Sequence, residues 1–322
     1  MKIKPFVVVV LFASLAAGAA AQAADKVNRV GVLTISNSPM FGDGIARNLA
    51  GHGYTLGHNL LMETRMADGK VDRLPALAME LVASGVDVIV TLGYPAAAAI
   101  KSATTTVPVV VTSAGDPVET GLAASLSRPG GNLTGISDMA AELSVKRLDL
   151  LKAAVPGLKR VAMLWNADDL GMTTRYKAAQ SAAKTLGIAV QPLGVREPND
   201  FEAAFAAMTR DKPDGILMVT DILTILNRKR VIEFAAADRV PAIFEGDLFV
   251  RDGGLMSYGP DGKETLARVA DLVDHILKGA KPADLPFEQP TRFRFVINRK
   301  TADALGLVLP AAVLERADEV IE

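Results

Sequence analysis

The sequence predicts an α/β fold with two doubly wound parallel-sheet lobes joined by a three-crossing hinge. The first observation is that short apolar runs, at residues 29–35, 86–92 and 107–112, are rich in β-branched side chains on both faces. Strands buried on both faces of a parallel sheet have this composition. Between the runs, apolar residues recur at helical spacing, as at Leu74, Leu77 and Leu81. Alternating strands and helices indicate βαβ units.

The second observation is that the strand series occurs twice. In the first half the strands begin near Arg29, Val86 and Val107, 57 and 21 residues apart. In the second half they begin near Arg160, Asp214 and Val240, 54 and 26 residues apart. The segments VDVIVTLG and PDGILMVT are also alike, as are VPVVVTSAGD and VPAIFEGD. We interpret this as two similar lobes, although any α/β chain can recur at such intervals.

The third observation is a set of segments that should cross between the lobes. LTGISD from Leu133 is expected to leave the first lobe, and a helix at 141–155 to open the second. GGLMSYG from Gly253 should cross back into a helix that ends near Lys278, whose start at Asp261 and Glu264 is typical of a capping box. A third crossing is expected near 293–297. Three crossings predict a hinge beside a closing cleft.

These crossings set the expected domain boundaries. Residues 25–138 with 260–287 form one lobe, and 139–259 with 288–322 form the other. Residues 1–24 read as a signal peptide, because Lys2 and Lys4 precede the apolar run 6–17 and an A-x-A site at 21–23. Cleavage is expected near Ala23 or Ala24, with export to the periplasm. A membrane anchor is the alternative, but this run is shorter than the roughly 20 residues that a bilayer requires.

Composition excludes several kinds of site. The chain has no cysteine, so it can form no disulfide, thiolate metal site, cysteine nucleophile or lipidated N-terminal cysteine. A net charge of -1 argues against nucleic-acid or anionic-membrane partners. The histidines His52, His58 and His275 are scattered, and we find no P-loop, G-x-S-x-G or GxGxxG motif. We therefore expect a protein that is not an enzyme, that holds no metal or cofactor and that binds a small molecule. We also expect it to act as a monomer.

The predicted ligand site lies where the strands end. In open α/β sheets, ligands bind beyond the carboxyl ends of the strands, near helix N-termini. Here those ends are residues 36–38, 93–94 and 113–116 in the first lobe, and 165–166, 220–221 and 245–247 in the second. Asp221 and Glu245 are candidates for binding a ligand ammonium group, while helix N-termini would take a carboxylate. Either residue alone could equally be a solvated loop carboxylate.

Other strand-end residues have structural alternatives. Asp116 precedes a proline and is a good helix N-cap, and Asn166 could also cap a helix. Tyr94 could shield the rim of the cleft or stack on a ligand. For Trp165, the only tryptophan, we expect a packing role.

Four segments resemble a known family, the periplasmic substrate-binding components of ABC importers with the type I periplasmic binding protein fold. They are SLSRPGGNLTG from Ser125, GGLMSYG from Gly253, LKGAKPADLPFEQPTRFRFVINRKTADALGL from Leu277, and ADEVIE from Ala317. The resemblance runs from about Val27 to Glu322. It is strongest to an uncharacterised branch that includes tryptophan- and tyrosine-binding members. These are scaffold motifs, so they identify the family better than the ligand.

The resemblance implies a ligand site formed by strand-end loops of both lobes. Carried over by position, its residues are Asn37, Tyr94, Ala114, Asp116, Asn166, Asp221, Glu245 and Tyr258. The chain departs from the family pattern twice. Tyr94 stands where relatives usually have threonine or serine, and the loop at 38–44 after the first strand looks shortened. Binding of an amino acid therefore cannot simply be inherited.

The resemblance and the cleft together favour a non-enzymatic binder that captures an amino acid or small carboxylate and delivers it to the permease subunits of an importer. Two alternatives stay open at this stage. An exported two-lobed α/β enzyme would need a catalytic group that the sequence does not supply. A sensor subunit would present its ligand-bound form to a membrane receptor. A cytoplasmic repressor is disfavoured, because no DNA-binding helical segment precedes the first strand.

Overall fold

The computed structural model describes residues 26–322. The predicted signal peptide and its cleavage site lie outside this range. Within it, no helix combines the length and apolar character needed to cross a bilayer.

The described residues form two separate β-sheets. The first has five parallel strands in the order β2-β1-β3-β4-β5. Their bounds are β1 Asn28–Thr34, β2 Leu60–Met66, β3 Val88–Leu92, β4 Val109–Thr112 and β5 Leu133–Gly135. β3 and β4 are continuous β-branched and leucine runs, buried at almost every position. β1, β3 and β4 coincide with the apolar runs at 29–35, 86–92 and 107–112, so the strands predicted there are confirmed.

The second sheet has seven strands in the order β12-β11-β10-β9-β8-β6-β7. Their bounds are β6 Arg160–Asn166, β7 Ala189–Val195, β8 Gly215–Met218, β9 Ala242–Phe244, β10 Met256–Pro260, β11 Phe293–Asn298 and β12 Glu319–Ile321. Only the β10–β11 pair is antiparallel. The order β7-β6-β8-β9-β10 repeats the order β2-β1-β3-β4-β5, so the predicted duplication is confirmed, and β11 and β12 extend the second copy.

Helices cover both faces of each sheet. Those of the first half are α1 Met40–Ala50, α2 Leu74–Ala83 and α3 Tyr94–Ala103. Those that follow β5 are α4 Ala140–Ala154, α5 Leu170–Thr185, α6 Asp200–Arg210, α7 Ile222–Leu226, α8 Arg228–Ala237, α9 Asp247–Arg251, α10 Gly262–Leu277, α11 Arg299–Leu305 and α12 Ala311–Leu314. The segment 38–44, expected as a shortened loop, is largely helical, because α1 begins at Met40.

Each sheet separates two apolar cores. Val30 and Val88 on one face of the first sheet pack against Val269 and Val273 of α10. The second sheet buries Met163 and Leu217 against α4 and α5 on one face, and its other face packs on Phe201. α10 therefore belongs to the first lobe although it follows β10 in sequence. We call the first sheet with α1–α3 and α10 the first lobe, and the remainder the second lobe.

Three short segments connect the lobes, at residues 136–139, 260–261 and 288–292. The first and third pair with each other, since Ser137 N donates to Glu288 O at 2.8 Å and Glu288 N donates to Gly135 O at 2.9 Å. The second and third also pair, since Asp261 N donates to Arg292 O at 2.9 Å. The segment GGLMSYG, which was expected to cross between the lobes, instead contributes most of β10 within the second sheet. The chain leaves that sheet only at Pro260.

The start of α10 differs from the predicted capping box in one respect. The Asp261 carboxylate accepts hydrogen bonds from the N–H groups of Lys263 and Glu264, as an N-cap should. Glu264 does not return to the N–H of Asp261, because that group already donates to Arg292 O. The Glu264 carboxylate instead accepts from the backbone N–H groups of Thr291 and Arg292. The predicted reciprocal bond is therefore replaced by hydrogen bonds between the first turn of α10 and the third crossing.

Candidate functional site

The carboxyl ends of the strands of both sheets face each other across a cleft, which contains two adjacent cavities. The larger has a volume of about 340 Å³ and the smaller about 120 Å³. Leu92 at the end of β3, Ser113 after β4 and Thr220 after β8 line both cavities. We call the larger one the main chamber and the smaller one the acidic chamber. A volume near 300 Å³ is at the lower end of the range for small-molecule sites.

The acidic chamber brings two carboxylates together. Asp169 is the N-cap of α5, only 5% exposed, and its Oδ1 accepts from Met172 N at 3.2 Å. Asp221 is the N-cap of α7, where its Oδ1 accepts from Thr224 N at 2.9 Å and its Oδ2 from Asn166 Nδ2 at 2.6 Å. The hydroxyl oxygen of Thr224 in turn accepts from Asp221 N at 2.8 Å, which completes a capping box. Both carboxylates are thus fixed by helix starts at the edge of the same small cavity.

The environment of the acidic chamber disfavours negative charge. Burial, followed by the charge of the neighbouring Asp221, raises the pKa of Asp169 to about 6. Two carboxylates at one buried site repel each other unless a cation or a proton intervenes. A ligand with a cationic group would relieve this repulsion.

The main chamber is mostly apolar but carries an ionic network at one end. Its apolar lining includes Phe41, Leu92, Ile136, Leu143, Leu266 and Pro290. The network consists of Asp138, Arg175, Glu245 and Arg147, all of which line the chamber. Arg175 donates to Asp138 at 2.9 Å through Nε and to Glu245 at 2.8 Å through Nη1. Arg147 donates to the other oxygen of Glu245 at 3.0 Å.

The network is buried and locally balanced in charge. Burial raises the pKa of Asp138 and lowers that of Arg147. Burial also opposes the charge of Arg175, but the carboxylates of Asp138 and Glu245 outweigh it and raise the pKa of Arg175. Because each arginine is paired with at least one carboxylate, no member is left as an isolated buried charge.

The lobes touch directly beside the acidic chamber. Gly171, in the first turn of α5, lies against the backbone of Ala114 and against Tyr94 of the first lobe. Gly115 approaches Gly171 so closely that a Cβ on Gly115 would lie 2.7 Å from the Cα of Gly171. The N–H of Gly115 also donates to Asp138 in the first crossing. The cleft is therefore in a closed arrangement.

Of the residues that the sequence suggested, Asp221 and Glu245 line the chambers, and Asn166 holds Asp221 in place. The carboxylate of Glu245 is occupied by Arg147, Arg175 and the N–H of Thr220, so it is not free to bind an ammonium group as expected. Asp116 accepts from the N–H groups of Val118 and Glu119, so it holds a turn at 117–121 rather than capping a helix as its structural alternative expected.

The remaining candidates lie around the chambers rather than in their walls. Tyr94 is half-buried at the start of α3, where its Cβ faces Gly171 of the other lobe, and the carbonyl of the buried Ala114 faces the same glycine. Asn37 is exposed beyond β1. The ring of Tyr258 packs on Phe293, with centroids 5.9 Å apart, and reaches the second-lobe core. Trp165 stacks on Tyr176 at 3.7 Å, which confirms its expected packing role.

The sequence interpretation missed Asp138, Arg147, Asp169 and Arg175 as site residues. Asp169 carried a usable signal, because an aspartate three residues beyond the strand-end Asn166 is a natural N-cap at the cleft edge. Arg147 and Arg175 carried no such signal. Each lies within a helix, and a solvated arginine there would give the same sequence pattern.

A sequence model of the family described as "ABC transporter substrate binding protein" matches residues 31–321. The chain belongs to this family. It is 27% identical over 265 residues to a tyrosine-binding protein of Clostridioides difficile, covering 82% of this chain and 76% of the relative. The resemblance found in the sequence motifs is therefore confirmed.

Two solved structures are also similar. A conserved domain protein of Vibrio cholerae O1 biovar El Tor superposes with a TM-score of 0.87 at 28% identity, covering 92% of this chain and all of that one. A Streptococcus pneumoniae ABC domain in complex with L-Trp gives a TM-score of 0.85 at 28% identity, covering 91% and 99%. The predicted type I periplasmic binding protein fold is confirmed by these likenesses and by the two parallel-sheet lobes.

Proposed function

We propose that this protein is the periplasmic substrate-binding component of an ABC importer and that it captures an amino acid in the cleft between its lobes. The observation that carries the proposal is the pair Asp169 and Asp221 at the acidic chamber. Both are held by helix starts, both face one small cavity, and the pKa of Asp169 is raised there to about 6. A ligand ammonium would donate hydrogen bonds to these carboxylate oxygens and offset part of their negative charge.

The main chamber would hold the side chain of the ligand. Its apolar wall, which includes Phe41, Leu143 and Leu266, suits an aliphatic or aromatic side chain. The relatives support the same class, since one is named a tyrosine-binding protein and another was solved with L-Trp. Among the sequence candidates we retain Asp221 as the ammonium ligand and Asn166 as its support. Glu245 is assigned instead to the ionic network.

The other sequence candidates are proposed to act from the rim of the cleft. Tyr94 and Ala114 would contribute by closing the first lobe onto Gly171, beside the acidic chamber. Asn37, Asp116 and Tyr258 have no place in either chamber wall. If they affect binding, we expect them to do so by shaping the loops around it.

Delivery to permease subunits and a periplasmic location are part of this proposal, and family membership and the signal-like N-terminus support them. Closure by rotation about the three crossings would present the filled form to the membrane subunits. We place the lobe boundaries at 138/139, 259/260 and 287/288, and propose that the mature protein acts as a monomer. Adjacent permease and ATPase genes would support transport over a sensor role.

The first experiment identifies the ligand without assuming its class. Mass spectrometry of the small molecules released from the purified protein should yield an amine-bearing compound, and an amino acid in particular. Thermal-shift and calorimetric titrations with L-tyrosine, L-tryptophan and L-leucine would then measure affinity. Saturable stabilisation without product formation is expected. Chemical conversion of the bound compound would instead favour the enzyme alternative.

The second experiment tests the acidic pair. Asp221→Asn keeps a helix-capping side chain but removes the charge, so it should weaken binding of an amine-bearing ligand at least tenfold while the empty protein melts nearly unchanged. Asp214→Asn is the matched control, because Asp214 accepts backbone N–H groups of Lys159 and Arg160 away from the cleft. Wild-type affinity in the Asp221 variant would remove that residue from the site.

A further inference from the structure

The first crossing contains a backbone conformation that its residue type disfavours. Between residues 26 and 322, four non-glycine residues have a positive φ: Asp68, Ser113, Met139 and Arg239. Met139 has φ 48° and ψ 43°, which places it in the left-handed helical region. In that region a Cβ crowds the following carbonyl oxygen, so glycine is favoured and a long side chain such as methionine is rare. The conformation of Met139 therefore calls for an explanation.

Two of the other three residues have ordinary local reasons for a positive φ. Asp68 precedes Gly69 in a turn after β2, and aspartate is among the residues that tolerate this conformation. Arg239 follows the C-cap residue of α8, and helices commonly end in a left-handed residue at that position. Met139 instead precedes a helix. It is the N-cap of α4, a position where the backbone is normally extended.

The neighbours of Met139 are fixed on both sides. After it, α4 begins at once, and Leu143 N donates to Met139 O at 3.0 Å. Before it, the Asp138 carboxylate accepts from the backbone N–H of Gly115 in the first lobe and from Arg175 Nε in the second, the latter at 2.9 Å. Strained conformations persist only where the surrounding structure over-determines them. The residue between these two fixed points meets that condition.

The side chain of Met139 gives no separate reason for its backbone conformation. It is half-buried, and it belongs to none of the four apolar cores formed by the residues that the structure describes. The polar contacts of Asp138 and the start of α4 are therefore what hold the backbone at Met139.

The contacts of Asp138 depend on the closed arrangement. Gly115 approaches Gly171 across the cleft, and Arg175 lies four residues beyond Gly171 in the same helix, α5. When the lobes separate, the loop of Gly115 and α5 move apart, so the Asp138 carboxylate cannot keep both partners. Hinges are a few residues that absorb large changes in φ and ψ. Opening would free one side of Met139 and let its φ return to a negative value.

We propose that Met139 is a strained hinge residue, whose left-handed backbone raises the free energy of the closed cleft and so favours the open form of the empty protein. The inference rests on the hinge closure of the proposed function and adds a residue that sets the closing equilibrium. Because only the closed form makes all contacts to a ligand, the apparent affinity falls with the fraction of molecules that are closed. Met139 therefore lowers ligand affinity without touching the ligand.

Two substitutions at Met139 separate the backbone from the side chain. Met139→Gly removes the Cβ and with it the strain, which corresponds to roughly five- to thirtyfold in an equilibrium constant. The greater freedom of glycine in the open form offsets part of this gain, so binding should become about three- to tenfold tighter. Met139→Ala keeps the Cβ and the strain, so it should not tighten binding. Affinity is measured by calorimetry with whichever of L-tyrosine and L-tryptophan stabilises the wild-type protein.

Arg239→Gly is the matched control, because Arg239 has nearly the same φ, 52°, in a turn within the second lobe. It should leave ligand affinity unchanged. Unchanged or weaker binding by Met139→Gly would overturn the proposal, and a higher melting temperature of that empty variant would then show that Met139 is strained in both forms. Equal tightening by Met139→Ala would assign the effect to the side chain and would also overturn it.

A measurement without ligand keeps this inference separate from the amino-acid proposal. The chain has no cysteine, so spin labels can be attached to Asp72→Cys in the first lobe and Lys229→Cys in the second, both exposed positions. Double electron–electron resonance on the empty protein should show more of the short inter-lobe distance in Met139→Gly than in wild type, Met139→Ala or Arg239→Gly. The same distances in all four proteins would overturn the strained hinge. Failure of both amino acids to bind the wild-type protein would reject only the amino-acid function, since the distances still test the hinge.

Discussion

Replacing Gly171 by alanine should weaken ligand binding by blocking closure, while leaving the empty protein folded. Gly171 lies in the first turn of α5, and its backbone meets that of Ala114 across the cleft. A Cβ added there would lie 2.8 Å from the carbonyl oxygen of Ala114 and 3.0 Å from both its carbonyl carbon and the Cβ of Tyr94. Two of these three atoms are backbone, so they cannot rotate away.

The magnitude follows from the kind of contact. Relieving these approaches requires the lobes to stay apart by several tenths of an ångström, and overpacking of this type costs about 1–3 kcal/mol. If only the closed, ligand-bound form carries the contact, the whole cost falls on binding, which corresponds to roughly 5- to 150-fold lower affinity. In an open form the methyl group should clear Ala114 and Tyr94, and alanine is up to about 1 kcal/mol more favourable than glycine in a helix.

The assay combines calorimetry with small-angle scattering, using whichever of L-tyrosine and L-tryptophan stabilises the wild-type protein. The Gly171→Ala variant should bind more weakly and compact less on saturation, with an equal or higher melting temperature when empty. Gly42→Ala is the matched control. Gly42 is also a buried glycine in the first turn of a helix, but its added Cβ would make ordinary contacts within one lobe, at 3.4 Å from Thr64 and 3.8 Å from Val32.

Two results would refute this reasoning. Wild-type affinity in Gly171→Ala would show that the lobe contact is not needed for binding. A markedly lower melting temperature of the empty variant would show that the contact persists without ligand, so that closure is not coupled to it. Gly115→Ala would be a poorer probe, because Gly115 has a φ of +79° and an alanine would be strained there in either form.

Further predictions concern the pH dependence of stability and of ligand affinity, and the compaction of the protein when ligand binds. Because burial raises the folded-state pKa of Asp169 to about 6, above its unfolded value near 4, ionising it opposes folding. Asp169→Asn should therefore stabilise the empty protein by up to about 3 kcal/mol above pH 7, with the gain shrinking between pH 6 and 4, as followed by denaturant unfolding. Affinity for an amine-bearing ligand should rise as pH increases from 5 to 7, since the ligand needs the ionised carboxylate, and this rise should be absent in the same variant. Scattering should show a more compact wild-type protein with ligand than without, and an unchanged radius under saturation would contradict hinge closure.

The central strands of both lobes could be predicted from sequence because burial on both faces leaves an unmistakable apolar run. The edge strands β2 and β7 were harder to predict from the sequence. β2 contains Glu63 and Arg65 in the segment LLMETRM and is mostly half-buried, while β7 includes Pro192 and is buried only at its last residue. Half-buried edge strands mix polar and apolar residues, so their pattern is weak. Their places in the sheets follow from the duplicated order rather than from their own residues.

The site was only partly predictable for a different reason. Asp221 lies three residues beyond the buried strand β8, so its position at the cleft could be inferred from topology. Glu245 could be located in the same way, but its role depends on Arg147 and Arg175, which arrive from the helices α4 and α5. Nothing in a helical pattern distinguishes a buried arginine that faces a cleft from a solvated one. Partners brought together only by tertiary packing therefore decided the chemistry of the site.

One helix connects ligand binding, lobe contact and hinge. Asp169 caps α5 at the acidic chamber, Gly171 meets the first lobe, and Arg175 binds Asp138 in the first crossing. These positions fall within the first two turns of a rigid element, so a displacement at one must appear at the others. A ligand shifts an equilibrium only through contacts that differ between the two states. Ammonium binding at Asp169 would act on α5 directly at the contact surface, whereas a molecule confined to the main chamber would reach α5 only through Arg175, which Asp138 and Glu245 already hold. Closure should therefore require the ammonium group, and a ligand that lacks it should bind without compacting the protein.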